Sequence, residues 1–318
     1  MGLTWLGEPS VDALRAALRT VAPELSECAI VLPQGLDGID DPQWCAATAM
    51  AGDRYVVKFA WSKPSALRIC HMTRVLGALP TAAPELPLPE IVIAAQDPAV
   101  VVLRRVPGAT FFGVRNLIGP GERERVARDL AAALAQLHDP GVLRTVAAAV
   151  GPLPQPQAQA TTDMLRSRFA ALIRPDQRAR MRSWCDRADH ALARTGRTVL
   201  IHGDFHGNNH LWDPSTLRLR LVIDLETVGA GEPEFDLRYL PAEGGVELFT
   251  ATVAHYETLT GTTLDTDRIM AWHLRTMLGD ALWRAEADLP LPDRRTPIQW
   301  LDDLTARFAA LDAPGWTV

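Results

Sequence analysis

The chain has 318 residues, 47% of them hydrophobic and 22% charged, with a formal net charge of −6 at neutral pH. That length accommodates two domains or two lobes sharing a cleft, and the balance is that of an ordinary folded domain. The acidic excess argues against a nucleic-acid partner, which requires a basic face, and mildly favours a cationic or neutral one.

The first eight residues lack a basic start followed by an apolar stretch, and no apolar run is long enough to span a bilayer. The expected setting is therefore the cytoplasm, with no membrane partner. Cys28, Cys45, Cys70 and Cys185 are scattered without metal-ligand spacing and read as reduced thiols. No histidine pair has zinc spacing with a cysteine. Only Lys58 and Lys63 are lysines in an otherwise arginine-rich chain, which draws attention to each.

Ser10 precedes Val11, Leu14, Leu18 and Val21, an apolar stripe at helical spacing. Strand-like pieces follow at 28–32, 44–50 and 54–60, the last two joined by an Ala51-Gly52-Asp53 turn. A helix is expected from Ser65 to about Leu79, burying Leu67, Val75, Leu76 and Leu79 and ended by the proline-rich segment 80–89. Residues 91–94 and 100–103 are two more short strands. Five strands and a helix make a small sheet-bearing lobe over 1–105, closed by Val106-Pro107-Gly108. From Gly121 the pattern turns helical, with Val126, Leu130, Leu134 and Leu137 on one face. Residues 151–160 read as a loop, and helices resume at about 162–173 and 175–194. Strands at 199–201, 210–212 and 219–223 bracket the most polar cluster, and 235–311 is mostly helical. The second lobe thus spans 106–318, and the fold class is α+β and bilobal.

The chemistry concentrates in Ile201-His202-Gly203-Asp204-Phe205-His206-Gly207-Asn208-Asn209-His210-Leu211, a loop held by a strand at each end. Asp204 and Asn209 can aim at one point from different directions, and Leu221-Val222-Ile223-Asp224 sets a carboxylate at the end of an apolar strand. This is the spatial logic of phosphoryl transfer: one aspartate orients and deprotonates the attacking hydroxyl, while an amide oxygen and a second carboxylate hold Mg²⁺. Lys58, in Tyr55-Val56-Val57-Lys58-Phe59, alternates into a cleft and suits nucleotide phosphates. In kinases such a lysine pairs with a glutamate on the next helix; here His71 or Met72 stands at that place, so Lys58 is expected either to lean on another carboxylate, with Asp224 the candidate, or to be less firmly positioned. Gln34-Gly35-Leu36-Asp37-Gly38 reads either as a phosphate-covering loop or as an ordinary turn beside Asp37, Asp40 and Asp41.

The segments His202–Leu211 and Val222–Glu226 resemble the aminoglycoside phosphotransferase and choline kinase superfamily, with its HGDLHxxN motif and following I-D-x-E strand. Gly231-Glu232-Pro233-Glu234-Phe235-Asp236-Leu237 resembles its G-x-P-x-x-D-L segment, and Leu134 to His138 fits its helix ending in Leu-His. The resemblance implies a protein-kinase-like fold, ATP or GTP with Mg²⁺ as cofactors, Asp204 as catalytic base, and Asn209 and Asp224 as metal ligands. His202, His206 and Asp236 would support the loop. Leu103 and Arg105, after the fifth strand, would offer backbone groups to the base of the nucleotide.

For the acceptor, Glu232, Glu243 and Asp280 are candidates from an acidic set after Gly231 that also includes Glu234, Glu247, Glu286 and Asp288. Turned to the cleft, they would attract a cationic antibiotic such as an aminoglycoside; the other reading is a solvated helix face. Trp272 and Trp283 read either as core or as stacking surfaces. Three functions stay open: an antibiotic phosphotransferase, a kinase of choline, homoserine or a sugar, and a nucleotide-binding pseudokinase.

Overall fold

The computed structural model describes residues 2–32, 47–156, 160–311 and 316. The Gln34–Gly38 loop, Cys45 and the start of the strand expected at 44–50 lie outside them.

Helix α1 (Val11–Val21) begins at Ser10, whose hydroxyl accepts from the Ala13 amide at 3.1 Å, and it buries Leu14 and Leu18. Next come β1 (Ile30–Val31), β2 (Ala47–Ala51), β3 (Tyr55–Phe59), helix α2 (Lys63–Ala82), β4 (Ile91–Gln96) and β5 (Ala99–Arg104). The β1 strand is shorter than the 28–32 expected. The strands form one antiparallel sheet in the order β1-β2-β3-β5-β4. Gly52, with φ of 57°, closes the β2–β3 hairpin in the left-handed region that a β-carbon disfavours.

Alternation along β3 and β5 decides which side faces what. Val57, Phe59, Val100 and Val102 pack with Leu14 and Leu18 of α1. Val101 and Leu103 pack on the other side with Ile69, Met72, Val75 and Leu76 of α2. Lys58, opposite Val101 in the register, falls on this second side.

Two expectations about α2 are corrected. Leu67 is 54% exposed, because it lies two residues from both Ser65 and Ile69 of the buried stripe, about 200° round the helix from each. The helix also runs through Pro80 to Ala82, and the Ala83 amide still bonds Leu79 O at 2.7 Å. Pro80 removes one amide donor, but burial of Leu79 and Ala83 holds the last turn in place.

Beyond the sheet lie β6 (Ala109–Thr110), α3 (Phe111–Val114), α4 (Pro120–Leu137), α5 (Pro140–Val150), α6 (Thr162–Ser167) and α7 (Pro175–Leu192). Then come β7 (Val199–Ile201), β8 (His210–Trp212), β9 (Leu219–Val222) and β10 (Gly229–Gly231). The chain continues through α8 (Pro233–Asp236), α9 (Leu240–Glu243), α10 (Gly245–Thr260), α11 (Thr266–Glu286) and α12 (Pro297–Ala310). The result is a small antiparallel-sheet lobe and a larger helical part. The β6-β8-β9 and β7-β10 ribbons lie between helices and carry the polar cluster. Neither α5 nor β10 stood out in the sequence. In Gly229-Ala230-Gly231 there is almost no side chain to alternate, and a β-carbon on Gly229 would collide with the Pro154 carbonyl oxygen. Among the described residues no helix is long and apolar enough to cross a membrane.

Trp184 of α7 ties the helical part together: it is fully buried, edge-on to Phe308 of α12 at 5.0 Å, and its indole donates to Trp316 O at 2.8 Å. Trp184→Ala should lower unfolding free energy by about 3–5 kcal/mol, read from urea melts.

Candidate active site

The loop between β7 and β8 is shaped from beneath by one buried carboxylate. Asp236, at the end of α8, accepts from the His202 amide at 2.7 Å and the Gly203 amide at 2.9 Å. Its second support is His138, the cap of α4, whose Nε2 lies 3.1 Å from Asp236 Oδ2. His138 Nδ1 faces the Tyr256 hydroxyl at 3.1 Å, and that hydroxyl accepts from Arg197 at 2.9 Å. Burial by itself would raise the Asp236 pKa, but the bonds and charge from His138, with His202, hold it below the ordinary carboxylate range. Gly203 has φ of 81°, and a β-carbon there would strike the Thr227 carbonyl oxygen.

A second anchor joins the loop to the strand carrying Asp224. His202 Nε2 lies 2.8 Å from Ile223 O, a carbonyl that can only accept, so Nε2 carries the proton and Nδ1 is left to accept from the Asp204 amide at 3.2 Å. The Ile223 amide donates to Asn209 O at 2.8 Å, extending the β8–β9 pairing by one rung. Asp224 then turns into the left-handed region, φ 63° and ψ 56°. Because β9 ends at Val222, one residue before the strand end expected from the sequence, the carboxylate swings off the ladder.

Asp204 sits among donors. Tyr239 O–H donates to Oδ1 at 2.8 Å, His206 Nε2 lies 3.4 Å from Oδ2, and the Arg238 guanidinium is 3.7 Å from Oδ1. Burial works against its charge, but His206 above all, then Arg238 and Tyr239, reverse this and hold its pKa far below the usual carboxylate range. The same pairing, helped by Glu243, raises the pKa of His206 against the effect of its burial. Arg238 is fixed in turn by stacking on the Phe235 ring, 3.7 Å from its centroid, and by a 2.8 Å bond to Gly203 O.

Lys58 reaches the site from the sheet lobe, with Nζ 2.7 Å from Asp224 Oδ1 and 2.6 Å from Glu226 Oε1. Burial would lower its pKa, but Asp224 and then Glu226 keep it above the ordinary lysine value. Asn209 donates its amide to Asp204 O at 2.8 Å, so its side-chain oxygen remains the atom to offer a cation. Among the described residues no three His, Cys, Asp or Glu side chains gather in a metal-holding group. Mg²⁺ does not need one: it takes one or two carboxylates, hard oxygens, substrate phosphates and water. The donor types of Asn209 and Asp224 fit that chemistry.

The candidate acceptor residues divide. Glu243, at the end of α9, accepts from the Gly207 amide at 2.8 Å and so touches the loop. It also lines a cavity of about 380 Å³ with Phe111, Arg115, Arg123 and Glu247. Burial, opposed by His206, pushes its pKa up to about 7. A groove of about 430 Å³ between α2, α4 and α5 involves none of the loop residues. Glu232 does not face the loop; its carboxylate bonds Arg268 and the Trp272 indole inside the helical part. Asp280 pairs with Arg284 one turn along α11 at 3.0 Å. Trp272 packs edge-on to Phe235 at 5.0 Å, while Trp283 is exposed. Leu103 is buried, Arg105 is exposed, and the Arg105 amide is already donated to Arg54 O at 2.8 Å, leaving its carbonyl to offer.

The sequence reading assigned no role to Glu226, Arg238 or Tyr239. The signals were a second carboxylate two residues after Asp224 and an Arg-Tyr pair directly after Asp236-Leu237.

Residues 34–272 match the model of the phosphotransferase enzyme family. Viomycin phosphotransferase of Streptomyces vinaceus is 31% identical over 217 residues, 64% of this chain and 72% of that protein. A mutant of aminoglycoside 2'-phosphotransferase-IIIa, solved as its GDP complex, superposes with a TM-score of 0.71 at 16% identity, over 96% of this chain and 100% of that one. Macrolide 2'-phosphotransferase type I does so with a TM-score of 0.61 at 19% identity, over 94% of each chain. These likenesses at low identity establish a shared fold.

Removing the brace under the loop should be costly. Asp236→Ala is expected to destabilise by about 3–5 kcal/mol, since the buried groups around it lose their acceptor, and to reduce turnover. Because the native pKa of Asp236 lies below its unfolded value, the wild type holds this stabilisation above about pH 4 and loses it as pH falls through the native value. Urea midpoints against pH should show a shallower acid limb in the variant.

Proposed function

This chain belongs to the phosphotransferase enzyme family and is a small-molecule kinase; on that footing we propose that it transfers the γ-phosphoryl group of Mg·ATP or Mg·GTP to a hydroxyl of an antibiotic. The observation that carries this reading is that three separate segments meet: Lys58 contacts Asp224, and Asp204 and Asn209 share a loop that His202 ties to Ile223, directly before Asp224. The relatives are named for viomycin, aminoglycosides and a macrolide, which supports an antibiotic acceptor.

In this reading residues 1–105 hold the nucleotide, with Lys58 on its phosphates and the 103–105 backbone along its base, and residues 106–318 carry the loop and the acceptor. Asn209 and Asp224 would hold Mg²⁺, which would supply charge neutralisation at the phosphates. Asp204 receives the acceptor hydroxyl. Held far below the ordinary carboxylate pKa, it is a weak base and chiefly an orienting one, taking the proton late. That suits a loose phosphoryl-transfer transition state, in which positioning outweighs deprotonation. Tyr239 takes one lone pair of Oδ1 and His206 approaches Oδ2, which leaves a lone pair on the carboxylate for the incoming hydroxyl.

Glu243 is the acceptor anchor among the acidic candidates. A carboxyl beside Gly207, with its pKa near neutrality, becomes a full negative charge when a cationic acceptor arrives. Glu232 and Asp280, already paired with arginines, serve the helical scaffold. A catalytically silent nucleotide-binding protein was suggested by the absent glutamate on α2; two carboxylates on Lys58 weaken that alternative. A choline, homoserine or sugar kinase would share the cleft and differ in the acceptor.

The test is nucleoside-diphosphate release from Mg·ATP and Mg·GTP against viomycin, aminoglycosides, macrolides, choline, homoserine and sugars. Release stimulated by an antibiotic and reduced at least about 100-fold in Asp204→Asn is expected; stimulation only by a metabolite would reassign the acceptor. KM for a cationic acceptor should fall as pH rises through about 7 in the wild type. Glu243→Gln should remove that step.

A further inference from the structure

The lysine that meets the phosphates in kinase-like folds is normally held by a glutamate of the neighbouring helix. Here α2 presents Met72, fully buried among apolar side chains, and His71, whose Nε2 lies 2.8 Å from Val228 O. Neither offers a carboxylate. Lys58 has two carboxylates instead, both from the segment after β9.

The two differ in where they stand. The Asp224 side chain is 41% exposed and occupies a left-handed residue at the strand end, open to the cleft. The Glu226 side chain is 9% exposed and belongs to the short 3₁₀ turn Leu225–Thr227, which packs against α2. Arg68 of α2 adds positive charge near it. A carboxylate at the cleft can exchange Lys58 for a cation when nucleotide enters. A buried one cannot follow, and it keeps the ammonium in place while Asp224 is drawn away.

Resting on the phosphotransferase reading above, we propose that Glu226 is the positioning residue for Lys58, doing from the metal-bearing segment what a helix glutamate does elsewhere, so that Asp224 is free for the cation. The arrangement also changes what α2 can control. A helix glutamate lets a swing of the helix disconnect the lysine, whereas here the positioning carboxylate and the metal carboxylate share one short segment after β9, which Lys58 reaches from β3. The His71 bond to Val228 O pins α2 to that segment.

The test is a double-mutant cycle on the full chain, read as calorimetric affinity for Mg·ATP and Mg·GTP. Glu226→Gln should weaken nucleotide binding about 10- to 100-fold, as expected for loss of a bond to a charged group, and Lys58→Met by a similar factor. Added to Lys58→Met, Glu226→Gln should cost less than about 2-fold more, because it acts only through the lysine. Independent, multiplying losses would overturn the proposal and make Glu226 a separate ligand for the cation or phosphates. Glu226→Asp, which keeps the charge, should recover part of the loss.

A second readout needs neither nucleotide nor activity. With two lysines in the chain, selective ¹³Cε,¹⁵Nζ-lysine labelling gives two resolved signals, one of them the exposed Lys63. The Lys58 signal should shift in both Glu226→Gln and Asp224→Asn, since each removes a charged partner, but only Glu226→Gln should narrow it by freeing the ammonium. A Lys58 signal that does not narrow in Glu226→Gln would sink the inference while leaving the phosphotransfer reading intact. A wild type that binds no nucleotide, while its Glu226→Gln variant shows that narrowing, would do the reverse.

Discussion

Two backbone amides at the start of a loop, His202 and Gly203, point at one buried carboxylate, and most of the site follows from that. Asp236 has no exposed surface, so its charge persists only because His138 and the two amides satisfy it. The constraint runs both ways. The amides fix where Asp204 begins, and the carboxylate fixes where α8 ends. Arg197, Tyr256 and His138 extend the same network to α4 and α10, so the loop is held by helices far from it in sequence.

On that footing the loop presents charges of opposite sign at short range. Asp204 is surrounded by donors from His206, Tyr239 and Arg238, and Lys58 is surrounded by carboxylates. In the proposed reading each cluster is half of what a phosphoryl-transfer transition state requires: one side to grip the acceptor oxygen, the other the phosphates and cation. Preorganisation of this kind explains how a carboxylate with so low a pKa can still serve. In that reading its task is to aim a hydroxyl.

The pairing of Lys58 with Glu226 links the two parts of the chain through 168 residues of sequence separation. It also accounts for an anomaly in α2, where an apolar side chain occupies the place of an acidic one. Met72 packs with Val75 and Leu76 in the main core, so α2 is held by burial and by His71, independently of the lysine.

Much of this was legible in the residues themselves. Spacing places Asp204, Asn209 and Asp224 at the ends of short apolar strands, and a lysine in a strand of period two must face one side of its sheet. Helical stripes mark α1 and α4 for the same reason, since local periodicity and capping are properties of neighbouring residues. What escaped were features whose cause lies elsewhere in the chain. Leu67 is exposed because the sheet covers a different arc of α2, and Gly229 to Gly231 become a strand because they pair with β7 and the Ala230 amide donates to Pro154 O. Glu232 turns inward because Arg268 is there to meet it, while Glu243 turns to the loop because Gly207 offers an amide. The sequence by itself determined which groups could do the chemistry, since motif spacing is local. Only the tertiary structure decided which carboxylates meet the lysine, which braces the loop and which pair with arginines in the scaffold, because a carboxylate's surroundings are set by the donors that reach it in space.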